Sequence, residues 1–337
     1  MNHSRKNKPK TAYIYIVATT FLVISAILGL LLGASGISLL DIAKLIFGGD
    51  KTGSEAKIFL FVRLPRVVAS TVCGAALAVS GAVIQNVLSN RLASPSIIGV
   101  NAGAGLAVTL CSAFGIIGGW RLSLFSFLGA LLSVMLVSLG AKKWGASRGT
   151  GNLMGVALNS LLGAISDCVV TFVPDVSIMS NDFRIGDFSS VTPTKLIPAS
   201  VMILVSMAVL FTLSNELDVL TLGDENAKGL GQNTALMRIF FLILAALLAG
   251  AAVSIAGLLS FVGLIVPHIV RRISKSSSLH TLPLCALFGA GFVTLCDTLS
   301  RVIFAPYELP VGIIMAFIGA PLFIFILIKA KGGRTRD

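Results

Sequence analysis

Apolar runs of about 20 residues recur along the whole chain, and this pattern constrains the fold more than any other feature. A run of this length can cross the hydrocarbon core of a bilayer as a helix. Because backbone polar groups inside lipid must be satisfied within the protein, the runs are predicted to be helices rather than strands. Only 12% of the 337 residues are charged, about half the fraction in a soluble domain. The sequence therefore predicts an all-α, polytopic integral membrane protein.

Polar breaks divide the apolar sequence into ten predicted spans. Their ranges are 13–33, 64–85, 93–115, 122–141, 153–174, 196–213, 236–257, 259–272, 281–300 and 309–329. The seventh and eighth form one apolar stretch that is too long for one span and short for two. The first run follows a basic leader, "RKNKPK", and exceeds the apolar region of a signal peptide, which favours a retained helix over a cleaved signal.

The basic residues indicate the orientation of the chain. With the amino terminus inside, ten spans bring the carboxyl terminus inside as well, and the inner segments then hold 17 of the 26 Lys and Arg residues. This bias follows the positive-inside rule and accounts for the net charge of +12 without a nucleic-acid partner. Arg63 and Arg66 in "RLPR" fall on the outer side, where the rule does not require them. Because arginine is costly in hydrocarbon, the pair is expected to sit in water.

The chain is predicted to form one membrane domain, residues 13–330, between a cytoplasmic leader, 1–12, and a cytoplasmic tail, 331–337. Within this domain "GAALAVSG" (74–81) and "GAAVSIAG" (250–257) share glycines at both ends. On the predicted topology the two segments run in opposite directions, as an inverted repeat would. The alternative is that small residues simply mark close helix packing.

Motifs for catalysis are missing from the sequence. The three histidines lie far apart and no Gly-Lys dipeptide occurs, so the chain has neither an HExxH motif nor a Walker A loop. The five cysteines form no CxxC pair and are interpreted as small buried residues rather than disulfides or metal ligands. Asp167 in the fifth span could couple transport to an ion or could bond to Ser166 or the backbone. Asp297 stands one helical turn before Arg301 and is predicted to orient it.

The longest inner loop, residues 214–237, carries four acids on an otherwise basic side. Its apolar pattern predicts two short amphipathic helices hinged at Gly223–Asp224, and glycines end the second. Asp224 and Glu225 would then lie in the first turn of the second helix, where the helix dipole favours acids. Such a loop could pack on the membrane domain or present a surface to a soluble partner, and the charge contrast favours the partner.

Four stretches of the sequence stand out together. They are "RLPRVVASTVCGAALAVSGAVIQNVLSNRLASPSIIGVNAGAG", "LGDENAKGLG", "IAGLLSFVGLIVPHIVRRI" and "DTLSRVIFAPYELPVGIIMAFIGAPLFIFIL". They resemble, in the same order, the signatures of the FecCD-type permease subunits of ATP-binding cassette importers, and the match runs from about residue 60 to 328. This group includes the vitamin B12, iron–siderophore and haem permeases.

The resemblance implies a fold and a set of partners. It implies ten helices per subunit, a dimer of permeases around one path, two separate ATPase subunits inside and a solute-binding protein outside. The chain is then a transport subunit rather than an enzyme and has no cofactor of its own, because ATP and Mg²⁺ are bound by the partner subunit. Whether the permease pairs with itself or with a similar chain is left open.

The resemblance also implies roles for particular residues. By position in the motifs, docking of the binding protein falls to Arg63, Arg66 and Arg301, whose guanidinium groups would hold acidic side chains. The alternative is that these arginines extend to lipid headgroups. Contact with the ATPase falls to the cytoplasmic coupling segment, about residues 214–236. Its matching residues are Gly223, Asp224, Glu225, Ala227 and Gly231.

The chain departs from the family pattern at two places. Arg91 stands where proline is usual, and Phe183 and Gly186-Asp187 stand where the family usually carries Trp and Gly-Ser. The second departure lies on the outer side and can reflect a different ligand or binding protein. Pro267 is expected to bend the eighth span, with His268 bonding the freed backbone groups rather than serving as a metal or proton site.

The residues predicted to line the path are sparse and uncharged. They are Gln85, Asn86, Asn101, Asn159 and Ser160. Such a path suits a bulky ligand that must not bind tightly, and ferric siderophores are the commonest cargo in the family. An iron(III)–siderophore complex is therefore predicted, with cobamide and haem left open. The rival hypotheses are an ion-coupled secondary transporter that works without an ATPase, and a structural or receptor protein with no cargo.

Overall fold

The computed structural model describes residues 8–33, 53–96, 98–116, 119–143, 148–274 and 276–331. Helices make up most of these residues, and no strand occurs among them, as the all-α prediction requires. Most of the predicted leader, the loop after the first span and most of the tail lie outside the described ranges.

The helices are numbered in chain order. They are α1 (Lys8–Leu31), α2 (Ser54–Ile58), α3 (Leu64–Val87), α4 (Val100–Ala113), α5 (Gly119–Lys143), α6 (Arg148–Phe172), α7 (Ser177–Ile185), α8 (Pro193–Thr212), α9 (Ser214–Thr221), α10 (Asp224–Gly229), α11 (Thr234–Ala256), α12 (Val262–Ser274), α13 (Ser278–Val302) and α14 (Val311–Lys331). A π-helical turn, Phe59–Arg63, precedes α3, and a short 3₁₀ turn, Pro174–Val176, precedes α7.

Each of the ten predicted runs contains one helix. Within the described ranges, seven helices are long and apolar enough to cross a membrane, and α4 and α14 are shorter apolar helices. The multi-pass helical fold is therefore confirmed. The count of ten spans and the placement of both termini stay predictions.

The predicted break between the seventh and eighth spans is present. Helix α11 ends at Ala256, Gly257 has φ of +71°, and α12 begins at Val262. Phe261 has φ of +68°, a conformation that is uncommon for a bulky residue. Gly319 of α14 accommodates it, because a Cβ at that position would lie 2.8 Å from the Phe261 side chain. The chain is thus redirected between the two helices.

Helix α3 lies at the centre of the fold and packs most closely against α13. The two backbones touch where Gly74 faces Gly289, because a Cβ on Gly74 would lie 2.3 Å from the Gly289 carbonyl oxygen. Nearer the beginning of α3, the Ser70 hydroxyl donates to Thr294 Oγ1 at 3.1 Å. The α3–α13 pair is therefore held by direct backbone contact and a buried hydrogen bond.

Helices α3 and α11 pack side by side in opposite directions. Cys73 Sγ contacts the Ala252 carbonyl at 3.6 Å, and Ser80 Oγ donates to the Ala245 carbonyl at 2.7 Å. The two glycine-flanked segments lie on these helices, so their predicted opposite directions are confirmed. Close packing is directly visible at Gly74, whereas the repeat stays a prediction.

Burial within the chain differs strongly among the helices. In the 56–87 segment 78% of the apolar window is buried, against 11% in the window of α6. Large apolar side chains of α6, such as Leu161 and Phe172, are exposed. Lipid or a second chain must cover this surface, because water cannot solvate it favourably.

Candidate docking and coupling sites

The three predicted docking arginines meet at one end of the α3–α13 pair. Arg63 ends the π-helical turn, Pro65 opens α3, and Arg66 follows it in the first turn. Arg301 lies in the last turn of α13. Each of the three residues exposes only 3–4% of its surface. The expectation that Arg63 and Arg66 sit in water is therefore wrong for this conformation.

Three carboxylates surround Arg66. Its Nε donates to Asp297 Oδ1 at 2.8 Å and its Nη1 to Glu308 Oε2 at 2.7 Å, while Nη2 lies 3.6 Å from Asp187 Oδ1. The side chain of Asp297 is fully buried, whereas those of Asp187 and Glu308 are 26% and 38% exposed. Removing the partner of a buried charge is costly. Asp297 is thus the structural partner of Arg66, and the other two acids lie at its rim.

Arg63 and Arg301 both bind the end of α1. Each donates to two carbonyl oxygens there, at 2.8–3.0 Å. These carbonyls have no partner within the helix, and the helix dipole favours positive charge at this end. Arg301 Nη2 also lies 3.3 Å from Asp297 Oδ2, which confirms the predicted pairing across one helical turn.

We call these six side chains the arginine cluster. They are Arg63, Arg66, Asp187, Asp297, Arg301 and Glu308. Among the described residues, three guanidinium groups stand beside three carboxylates, so the cluster is not a free positive patch. The guanidinium groups are buried rather than extended towards lipid headgroups, and an acidic partner would compete with the two rim acids. Docking of a binding protein stays a prediction.

Sequence reasoning did not identify Asp187 and Glu308 as partners of Arg66. Glu308 belongs to the matched motif "ELPVGI", which was the available signal, and Asp187 was noted only as a departure from the family. Backbone bonds fix Asp187, whose N–H donates to the Ala256 carbonyl at 2.8 Å. Nearby, the Leu258 N–H donates to the Phe183 carbonyl at 2.9 Å. The departing segment therefore lies against the break between α11 and α12.

The coupling segment has the predicted local structure. Helices α9 and α10 are joined at Gly223, which has φ of +98°, and the turn after α10 contains Gly231 with φ of +82°. Asp224 and Glu225 occupy the first turn of α10, and Ala227 of the same helix is fully buried. Nothing in the chain alone tests contact with an ATPase, so that role stays a prediction.

Ion pairing attaches this segment to a long helix. The Asp224 carboxylate pairs with the Arg238 guanidinium in the first turns of α11. The apolar side chains of Leu222 and Leu230 are exposed on either side of α10. The segment therefore combines a fixed base with a partly apolar outer surface, which suits contact with another protein.

Gln85 and Asn86, both predicted to line the path, bind the guanidinium of Arg271. Arg271 of α12 donates to Gln85 Oε1 at 2.7 Å and to Asn86 Oδ1 at 3.0 Å, and also to the Ala82 carbonyl at 3.1 Å. Gln85 Nε2 donates to the Gly263 carbonyl at 3.1 Å. Gln85 is 2% exposed. In this conformation it therefore faces α12 rather than an open path.

The same contacts continue to α13 and α9. Asn86 Nδ2 donates to Ser278 Oγ at 3.1 Å, and the Ser278 N–H donates to both carboxylate oxygens of Asp218 at 3.0 and 3.1 Å. We call Gln85, Asn86, Asp218, Arg271 and Ser278 the amide cluster. Sequence reasoning counted Arg271 and Asp218 only as loop charges and did not connect them.

The other path candidates lie apart from these clusters. Asn101 lines a cavity of about 220 Å³ beside the break between α11 and α12. Asn159 Nδ2 donates to the Ser96 carbonyl at 2.8 Å, and the exposed Ser160 hydroxyl donates to its own helix. Their place along a path stays a prediction.

Asp167 does not bond to Ser166. Its carboxylate pairs with Arg184 of α7 at 2.6 Å, and both side chains are largely exposed within the chain. Pro267 lies inside α12 as expected, but no hydrogen bond to the His268 side chain occurs among the described residues, so the expected bond is wrong. Arg91 is exposed in the turn after α3.

Residues with metal-binding side chains do not gather in the described part of the chain, where no group of three or more His, Cys, Asp and Glu residues could hold an ion. All five cysteines are free, and four are buried while Cys168 is exposed. The candidate sites are thus built from guanidinium, carboxylate and amide groups.

Comparison with known proteins gives a consistent result. The profile of the FecCD transport family matches residues 21–329. The ABC transporter permease protein YvrB of Bacillus subtilis, named as uncharacterized, is 36% identical over 95% of each chain. The Fe(3+)-citrate import system permease protein YfmD of the same organism is 34% identical over 98% of this chain and 99% of its own. A solved structure described as an inward-facing, metal-chelate type ABC transporter superposes with a TM-score of 0.84 at 30% identity, covering 94% of this chain and 99% of that one.

Proposed function

This chain belongs to the FecCD transport family and is a multi-pass cell-membrane permease of the ABC importer type, and on that premise we propose that it forms the translocation path for an iron(III)–siderophore complex. The cargo is delivered by an external solute-binding protein, and separate ATPase subunits drive the transport. The observation that carries this proposal is the similarity over almost the whole chain to a permease named for ferric citrate.

The proposed partners are a second permease subunit, two ATP-binding subunits and the binding protein. The poorly buried α6 offers apolar surface that a second permease could cover. The hinged helices α9 and α10 support a contact with an ATPase. That subunit would bind ATP and Mg²⁺, and this chain would need no cofactor of its own. The arginine cluster supports docking of an acidic partner, because Asp187 and Glu308 are partly exposed and carboxylates of a partner could replace them beside Arg66.

An ion-coupled transporter gains no support from Asp167. A coupling acid is expected near the membrane midplane, facing the protein interior or a water-filled cavity. Asp167 forms an ion pair with Arg184 at 2.6 Å, so its charge is already balanced within the chain. The ATP-driven mechanism is therefore the better explanation.

Uptake by cells with and without the gene tests this proposal. We would compare a radioiron-labelled hydroxamate siderophore, radioiron-labelled haem and radiocobalt-labelled cobalamin, each with and without depletion of ATP. Loss of ATP-dependent siderophore uptake alone is the expected result. Selective loss of haem or cobalamin uptake would keep the permease and overturn the cargo. Uptake that persists when the ATPase gene is deleted would overturn the ATP-driven mechanism.

A further inference from the structure

Asp218 makes a contact that the proposed function leaves without a role. Both of its carboxylate oxygens accept from the backbone N–H of Ser278, the first residue of α13. Hydrogen bonds with a charged partner are roughly twice as strong as neutral ones. The dipole of α13 adds to this attraction, because its amino end is positive. The contact therefore joins α9, in the coupling segment, to the beginning of a long helix.

Helix α13 connects that beginning to the arginine cluster. It extends from Ser278 to Val302, with Pro283 just after its first turn, and its last turns carry Asp297 and Arg301. Asp297 is fully buried against Arg66 of α3. A displacement of the first turn of α13 therefore reaches the arginine cluster through one continuous helix.

Helix α3 runs beside α13 over the same distance and is tied to it at both ends. Asn86 bonds to Ser278 at one end, Arg66 to Asp297 at the other, and the backbones touch at Gly74 and Gly289 between them. The two helices are thus expected to move as a pair rather than slide independently. Arg66 and Arg301 lie on this pair, and Arg63 immediately precedes α3.

We propose that Asp218 is the positioning residue through which the coupling segment moves the α3–α13 pair, and with it the arginine cluster. This inference rests on the proposed function, in which an ATPase moves the coupling segment. The second attachment of that segment, Asp224 with Arg238, leads into α11, which contributes no side chain to the arginine cluster. Apolar packing of Leu217 and Leu220 also holds α9 against the membrane helices, but the Asp218 contact is a charged hydrogen bond made directly to the first residue of α13.

Substitutions on both sides of this contact test the proposal in the complete transporter, reconstituted with its ATPase and binding protein in proteoliposomes. Asp218→Ala removes the acceptor. Ser278→Pro removes the N–H donor at the first position of a helix, where proline is tolerated, and Ser277 has the extended backbone that proline requires before it (φ −61°, ψ 168°). Ser278→Ala is the matched control, because it loses the bond from Asn86 but keeps the N–H.

We expect transport of a radioiron-labelled siderophore per ATP hydrolysed to fall about tenfold in Asp218→Ala and Ser278→Pro, as for loss of a hydrogen bond to a charged group. Basal ATP hydrolysis and assembly of the complex should persist. Ser278→Ala keeps the contact with Asp218 and loses only the bond from Asn86, so its transport should fall clearly less than that of Asp218→Ala. The double variant should be no worse than either single variant if both act through this one contact. A double variant whose losses multiply would overturn the proposal.

A second measurement does not depend on the cargo. A nitroxide label at Tyr307→Cys, in a Cys168→Ser background, reports on the loop beside the arginine cluster, where Tyr307 is exposed. Electron paramagnetic resonance should show a change on vanadate trapping of ATP in wild type and Ser278→Ala, and none in Asp218→Ala. A change of equal size in Asp218→Ala would overturn the proposal. A wild-type complex without ATP-dependent transport would instead refute the proposed function itself.

Discussion

The α3–α13 pair holds one cluster of polar side chains at each end, and the two are built on different chemistry. In the arginine cluster, guanidinium groups face carboxylates and the carbonyls at the end of α1. In the amide cluster, the guanidinium of Arg271 faces two side-chain amides and a carbonyl, while the acid Asp218 bonds to a backbone N–H. Charges thus face opposite charges in the arginine cluster, whereas in the amide cluster they face the dipoles of amide and backbone groups.

Because of this difference, the two ends of the α3–α13 pair suit different kinds of contact. Charge pairs can be exchanged for other charge pairs, so the partly exposed acids of the arginine cluster can give way to acids of a partner. Amide and backbone hydrogen bonds depend on direction as well as distance. The amide cluster is therefore suited to fixing the relative position of four helices, α3, α9, α12 and α13.

The largest effect should come from Asp297→Asn, which keeps the shape of the side chain but removes the buried charge beside Arg66 and Arg301. The loss should be about 3–5 kcal/mol, since two buried guanidinium groups lose the buried carboxylate that they share. Thermal unfolding of the purified protein in detergent measures it. Asp167→Asn breaks an exposed pair and should cost only about 0–1 kcal/mol. Equal losses in the two variants would contradict the distinction between buried and exposed pairs.

A smaller loss is expected from Arg271→Lys in the amide cluster. Lysine keeps the charge but cannot reproduce the planar fork that reaches both amides and the Ala82 carbonyl. We expect about 1–3 kcal/mol, because the three acceptors are neutral and can rebond to the ammonium group or to water. The exposed neighbour Arg272→Lys is the control. If Arg271→Lys were as damaging as Asp297→Asn, the two clusters would not differ as described.

The rim acids should matter more for binding than for stability. Asp187→Asn and Glu308→Gln should each change the thermal midpoint little, because both side chains are partly exposed. Each should strengthen association with an acidic binding protein by roughly three- to tenfold at low salt, because a competing carboxylate is removed from Arg66. Surface plasmon resonance over a series of salt concentrations measures this effect. Weaker association at every salt concentration would show that these acids contact the partner themselves.

The smallest effect within the arginine cluster should follow Arg63→Lys. Arg63 bonds to the carbonyls at the end of α1, and an ammonium group can still interact with them and with the helix dipole. The cost should be about 0.5–1 kcal/mol in thermal unfolding. A loss comparable to that of Asp297→Asn would mean that Arg63 has a structural role beyond this helix end.

Local features of the fold could be predicted because each is encoded within a few residues. The hinge at Gly223 and the acids that open α10 followed from turn chemistry and the helix dipole, and the break after Ala256 followed from the length of its apolar run. The pairing of Asp297 with Arg301 was also local. The hinge, the acids of α10 and the Asp297–Arg301 pair each lie within about one or two helical turns, whereas the break required only the length of one continuous run.

The interior of both clusters could not be predicted in the same way. Arg66 meets Asp297 and Glu308 across 231 and 242 residues, and hydropathy does not reveal which spans are neighbours. Gln85 and Asn86 were assigned to a path because they are polar, and polarity alone did not reveal that both bind Arg271. The burial of the arginines depends on tertiary contacts that no local pattern contains.

The separation of Arg66 from Asp297 also bears on how the protein is made. Spans enter the membrane in the order of synthesis, so α3 arrives with its arginine long before α13 supplies the fully buried carboxylate. During that interval Arg66 must stay near the water interface or at the insertion machinery, because hydrocarbon does not accept an unpaired guanidinium. A chain that ends before α13 therefore lacks the buried carboxylate that pairs with Arg66.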